Sequence, residues 1–152
     1  MTIFNAQPVD FARERRVRNM KIYVVVSVMV IAFLGFWFRH WPQEHVVNRF
    51  FNAIEQKDYN TAYGIWFHDP DWQKHPEKYP RYNEGQFELD WGPAGEYGPI
   101  TSHEIKGSVR PRSKGTVSGI VVAVIVNHRA EPACLWVEDS PHTIDFSPIA
   151  CQ

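Results

Sequence analysis

Ile120-Val121-Val122-Ala123-Val124-Ile125-Val126 is apolar at every position. It forms the centre of a long predicted strand, residues 116–129, rich in the β-branched side chains that suit a pleated sheet. A half-exposed strand would alternate apolar with polar residues; this one needs cover on both faces. Helices of the same chain can supply one cover. The other is expected from a second copy, as a homodimer, or from a member of a membrane complex docking on the sheet. Val122, Val124 and Val126 are the candidates for that partner surface.

Around this strand the chain divides into helices first and strands after. Val46, Val47, Phe50, Phe51 and Ile54 recur at the three-and-four spacing of one helix face. Asp58 is placed to cap a second helix carrying Ala62, Tyr63, Trp66 and Phe67, which His68-Asp69-Pro70 stops. Pro70, Pro76 and Pro80 then mark a loop as far as Tyr82. Residues 83–91 read as a third short helix with Phe87, Leu89 and Trp91, ended by Gly92-Pro93-Ala94-Gly95. Residues 100–110, 133–138 and 143–146 supply three further strands, bounded by Gly, Pro, Ser or Asp. Helices followed by strands predict an α+β domain.

No charged side chain stands between Ile22 and Phe38, and Arg13, Arg15, Arg16, Arg18 and Lys21 precede that stretch. As a helix, roughly 17 residues cover about 25 Å, a little short of the roughly 30 Å hydrocarbon core of a bilayer. Tyr23, Trp37 and Trp41 suit the headgroup interface, and the stems of Lys21 and Arg39 let their charges reach water. The stretch therefore reads as a transmembrane anchor that meets the lipid bilayer through Ile22 to Phe38. A cleavable signal would have a shorter apolar core of about 7 to 15 residues and a small-x-small site, whereas this run ends in Phe36-Trp37-Phe38-Arg39-His40-Trp41. A soluble core helix would show a polar face, and Ser27 is all this one offers.

Basic residues are retained on the cytoplasmic side, so the reading is a single pass of the inner (cytoplasmic) membrane with the N-terminus inside and the C-terminal domain outside, in the periplasm. The expected segments are a basic cytoplasmic stretch 1–20, with Phe4, Val9 and Phe11 compatible with a short surface helix and equally with a disordered segment, a transmembrane helix 21–41 and an outer domain 42–152. The net charge of −1 over 152 residues hides this division, since the acidic groups fall mostly after the apolar run. The arginines' position against that run favours a topological role over a nucleic-acid arm, and no nucleic-acid partner is expected. Cys134 and Cys151 both fall on the outer side, where disulfides persist; they are a disulfide candidate, with two separate thiols as the alternative.

Val46-Val47-Asn48-Arg49-Phe50-Phe51-Asn52-Ala53-Ile54-Glu55-Gln56-Lys57-Asp58-Tyr59-Asn60-Thr61-Ala62-Tyr63 resembles the opening of the nuclear transport factor 2-like superfamily. There one helix packs its apolar face, a Gly-Asp or Lys-Asp turn follows, and an aromatic-Ala pattern opens the next helix. Tyr97-Gly98-Pro99-Ile100 to Ile105 is similar to the start of that family's first long strand. The resemblance covers roughly residues 42–146. It implies a cone-like domain of two or three helices on a curved antiparallel sheet, with a pocket between them. The superfamily includes proteins similar to ketosteroid isomerase beside many that only bind or scaffold. No carboxylate stands between Ser118 and Asn127, so the isomerase's acid pair has no counterpart on the central strand.

Tyr63, Asp90, His103 and His128 each adjoin apolar residues and are the candidates for a ligand pocket. Against this stands the plainer reading, a hydrogen-bonded buried Tyr and histidines facing water at strand ends. His68, Asp69, Asp71 and His75 crowd one loop, yet no rigid element presets the His-x6-His spacing, and no metal is expected. Trp66, Phe67, Trp72, Tyr79 and Tyr82 read either as a binding platform or as the closure of a small core. No phosphate loop, nucleophile elbow or zinc pattern occurs, and no cofactor or catalytic residue is assigned. The expected function is a membrane-anchored extracytoplasmic binding or scaffolding domain, such as an accessory subunit of a membrane complex. The alternative is a tethered pocket protein that binds or isomerises a small apolar ligand.

Overall fold

The computed structural model describes residues 11–38, 40–111 and 118–151. The chain divides into two compact units, one ending at Arg39 and the other beginning at His40. Residues 1–10, Arg39, Thr116 and Val117, on which parts of the readings above fall, lie outside the described residues.

The first unit is the helix α1 (Phe11–Trp37), 27 residues long and so about 40 Å. The basic residues from Arg13 to Lys21 share this continuous helix with the apolar run, so no helix boundary falls at residue 20. Val24, Val28, Ile31, Phe33 and Leu34 are all exposed. By length and composition α1 is able to cross a membrane.

In the second unit, α2 (Trp41–Glu55) opens with Pro42 in its first turn, where the missing N–H leaves no bond unmade. Trp41 is thus the first residue of α2 rather than the last of the apolar helix. Asp58 caps α3 (Tyr59–Trp66), accepting from the Thr61 amide at 3.0 Å, and Asn83 caps α4 (Glu84–Trp91), accepting from the Gln86 amide at 2.9 Å. Between α3 and α4 the proline loop carries two single 3₁₀ turns, Trp72–Lys74 and Pro76–Lys78.

Four antiparallel strands follow in the spatial order of the chain: β1 (His103–Val109), β2 (Gly119–Val126), β3 (Ala133–Glu138) and β4 (Ile144–Phe146). β2 ends earlier than the predicted strand because Asn127 and His128, with φ of 49° and 57°, turn the chain into β3. The β1–β2 register shifts between Ile105 and Gly107. Gly107, at φ 157°, supplies the backbone freedom there.

The register decides which half of β2 points inward. Val122 pairs with Leu135 and Val124 with Ala133, and Ile120, Val122, Val124 and Val126 pack with β3's Ala133, Leu135 and Val137 against the helices. Val47, Phe50, Phe51 and Ile54 of α2, Tyr63 and Trp66 of α3, and Phe87 and Trp91 of α4 complete that core. Val122, Val124 and Val126 are each 0% exposed, which corrects their assignment to a partner surface. Side chains alternate along a strand, and the outward set is Val121, Ala123 and Ile125. Polar ties close the unit's edge: Arg110 donates to both Asp139 carboxylate oxygens at 2.7 and 2.8 Å, and Gln43 of α2 donates to the same carboxylate at 3.1 Å.

Phe50 joins all three helices, with ring-centre distances of 5.1 Å to Trp91, 5.4 Å to Trp66 and 6.0 Å to Phe87. Phe50→Ala is expected to cost about 3–5 kcal/mol in denaturant unfolding, the range for an aromatic removed from a closed core. A loss below about 1 kcal/mol would contradict this account of the core.

Candidate functional site

The four pocket candidates stand on different elements. Tyr63 is 2% exposed, and its hydroxyl donates to the Tyr82 carbonyl at 2.7 Å. Burial first, and then nearby Glu84, raises the pKa of that hydroxyl. His103 lies at the start of β1, with Nδ1 2.6 Å from Glu55 Oε1 and Nε2 2.9 Å from Asn48 Oδ1. Its ring stacks on Phe51 at 5.2 Å, so it ties β1 to α2. Asp90, in the last turn of α4, accepts from Gln86 at 3.3 Å, and His128 is exposed in the β2–β3 turn.

The structure does not gather these groups. Asp90 lines a cavity of about 310 Å³ between the α4 end and β3, and Tyr63, His103 and His128 do not line it. The space between helices and sheet, where the resemblance implies a pocket, is filled by Phe50, Phe51, Trp66, Phe87 and Trp91. Near Asp90 the Tyr82 hydroxyl and the Trp91 indole N–H are buried without hydrogen-bond partners. Burial chiefly, and the Asp90 carboxylate next, push the Tyr82 hydroxyl well above its ordinary range.

The His68–His75 loop is organised around one carboxylate. Asp69 Oδ2 accepts from Tyr79 Oη at 2.6 Å, His75 Nε2 at 2.7 Å and Lys78 Nζ at 3.2 Å, while Oδ1 accepts from the Asp71 amide at 3.2 Å. Asp71 pairs instead with Lys74 at 2.8 Å. Among the described residues no group of three or more His, Cys, Asp or Glu is arranged to hold a metal. Asp69 works as a clamp: it holds Tyr79, which stacks on Phe67 at 4.0 Å, and so pins the loop to α3. Trp66, Phe67, Trp72, Tyr79 and Tyr82 pack with the core or against it, closing its helical end.

Two concavities flank the core. A groove of about 390 Å³ runs between α2 and α3, walled by Val46 and Arg49 on one side, Thr61 and Ile65 on the other, and Trp72 of the loop. Gly64 lets the loop close against α3, because a Cβ there would sit 3.1 Å from the Asp69 carbonyl oxygen and 3.3 Å from the Trp72 ring. A larger hollow of about 770 Å³ lies on the outer sheet face, lined by Gly107, Val109, Val121 and Ala123 with Ile149 and Ala150 of the tail.

The tail reaches that face because Cys134 and Cys151 are joined in a disulfide and the Ser147 amide donates to the Cys134 carbonyl at 3.1 Å. A Cβ on Gly119 would collide with the Trp136 ring, so that ring lies across the outer face as well. Part of the second cover over β2 therefore comes from within the chain. Neither this cover nor the groove stands out in the sequence: Arg49 has the wording of any solvent-facing helix arginine, and Gly64 in an aromatic helix is the lone hint of close approach.

The tyrosine, histidine and lysine around Asp69 hold its carboxyl well below the ordinary carboxylate range. A group whose folded pKa is lowered stabilises the fold above its unfolded pKa and loses that contribution as pH falls toward the folded value. Amide-exchange protection of residues 69–79 is accordingly expected to decline below about pH 4. In Asp69→Asn it should already be low at neutral pH. Equal protection in both proteins at pH 7 would refute the clamp.

Compared with family models, with curated proteins and with solved structures, the chain finds no match.

Proposed function

We propose that the chain is a membrane-tethered binding or scaffolding protein, an accessory subunit that α1 holds at the outer face of the cytoplasmic membrane. The observation that carries this reading is α1 itself: 27 residues of continuous helix, with exposed apolar side chains around its circumference and its basic residues gathered at one end. A water-soluble helix of that composition would need a protein partner along its whole length. The basic end supports an orientation with the N-terminus inside and the α+β unit outside.

The partner surface in this proposal is the part of the outward sheet face left open, Val109, Ala123 and Ile125. Val109 is 61% exposed, and the hollow around it is apolar on the sheet side. Three short helices before a four-stranded antiparallel sheet support a nuclear transport factor 2-like domain. The aromatic filling of its interior weighs for a scaffold over an internal ligand pocket.

Alkaline carbonate washing of membranes tests the tether. The full chain is expected to stay in the pellet and a chain lacking residues 11–38 to appear in the supernatant. Release of the full chain by carbonate would sink the proposal.

A further inference from the structure

We propose that the groove between α2 and α3 binds a small apolar carboxylate, a monoanion whose charge is held by Arg49 and whose body lies along Val46, Ile65 and Pro70. The groove shares no lining residue with the hollow on the outer sheet face. It rests on three features of the groove taken together.

The first is charge. Arg49 is exposed and makes no hydrogen bond or ion pair among the described residues, and no Asp or Glu lines the groove. The acids on Arg49's own helix and beside the groove's other lining residues are already engaged: Glu44 accepts from Ser108, Glu55 pairs with His103, Asp58 caps α3, Asp69 holds Tyr79, His75 and Lys78, and Asp71 holds Lys74. An exposed guanidinium beside apolar side chains, with no acid of the groove to pair with, favours an incoming carboxylate that its planar fork can grip with two bonds.

The second is shape. About 390 Å³ falls within the roughly 300–1,000 Å³ of small-molecule sites, and the walls are apolar where the ligand body would lie. Asn60, Thr61 and Gln73 place a few polar side chains on the rim, although the Asn60 side chain already accepts from Gln73 at 3.2 Å. One guanidinium, with the imidazole of His68 in the same lining and few free polar groups besides, suits a monoanion better than a phosphate ester, which would call for more donors.

The third is rigidity. α2 and α3 are fixed by the aromatic core, Gly64 seats the loop on α3, and the Trp72 indole donates to the Asn60 carbonyl at 3.2 Å. The groove is therefore formed before a ligand arrives, which reduces the ordering cost of binding.

The test titrates the full chain, ¹⁵N-labelled in nanodiscs of zwitterionic lipid, with 2-naphthoate and with its neutral counterpart 2-naphthamide. Saturable amide shifts are expected at residues 46–49, 60–65 and 72, with naphthoate bound roughly tenfold more tightly than the amide, as one hydrogen-bonded charge pair provides. Arg49→Gln should make the two probes bind alike. Thr61→Trp, which fills the groove and leaves Arg49 in place, should abolish both sets of shifts while the remaining amides keep their positions. Equal affinity for the two probes in the unaltered chain would overturn the proposal. So would a preference for naphthoate that survives Arg49→Gln, or shifts that are confined to the sheet face or never saturate.

Discussion

β2 has apolar side chains on both faces, and everything else in the α+β unit is arranged around covering them. Its inward half closes on an aromatic layer contributed by three helices, with Ile120, Val122 and Val126 at 0% exposure. Its outward half is treated differently. Val121 is reduced to 4% exposure, while Ala123 and Ile125 stay partly open. Burial of each such side chain is worth about 1.5–3 kcal/mol, so leaving one face half covered costs stability unless something else completes it. The disulfide between Cys134 and Cys151 makes physical sense in this setting, because Ala123 pairs with Cys134 and the bond brings the last residues back over that part of the sheet.

Polar ties then hold the covering layers in register where apolar contact alone would let them slide. His103 bridges β1 to Glu55 and Asn48 of α2, and Asp139 gathers Arg110 and Gln43 from the far edge. Asp69 does the same for the proline loop. Each of these charged or aromatic groups would make a plausible site residue by type alone. In the structure each is spent on architecture, whereas Arg49, among the described residues, makes no such tie and lines the groove between α2 and α3.

Much of the fold was legible in the sequence because its signals are local. The three-and-four spacing from Val46 to Ile54 marks α2, and Asp58 caps the helix it precedes. Strand runs bounded by turn residues put β1, β3 and β4 within three residues of their observed starts. The inward parity of β2 was not legible: a strand apolar at every position carries no alternation, and the choice falls to pairing with β3, itself apolar at Cys134, Leu135, Trp136 and Val137. The sequence alone therefore allows Val122, Val124 and Val126 on either face, and the structure turns them inward. The fates of Tyr63 and His103 depend on partners 19 and 48 residues away, beyond any local pattern. The groove escaped for the same reason, since it exists only when α2, α3 and the loop are brought together.

In the proposed function, tether and sheet face would act together. A helix confined to a bilayer raises the effective concentration of its attached unit for other membrane components, so a modest apolar surface is sufficient to hold a partner. Val109 and Ile125 are two outward residues with large apolar side chains still open to such a partner. Photo-cross-linking in intact membranes, with a photoreactive residue at position 109 or 125 and a control at position 88 on exposed α4, tests this most directly. The account predicts one discrete adduct from both sheet positions and none from position 88. Absence of an adduct at 109 and 125, or equal adducts at all three positions, would contradict it.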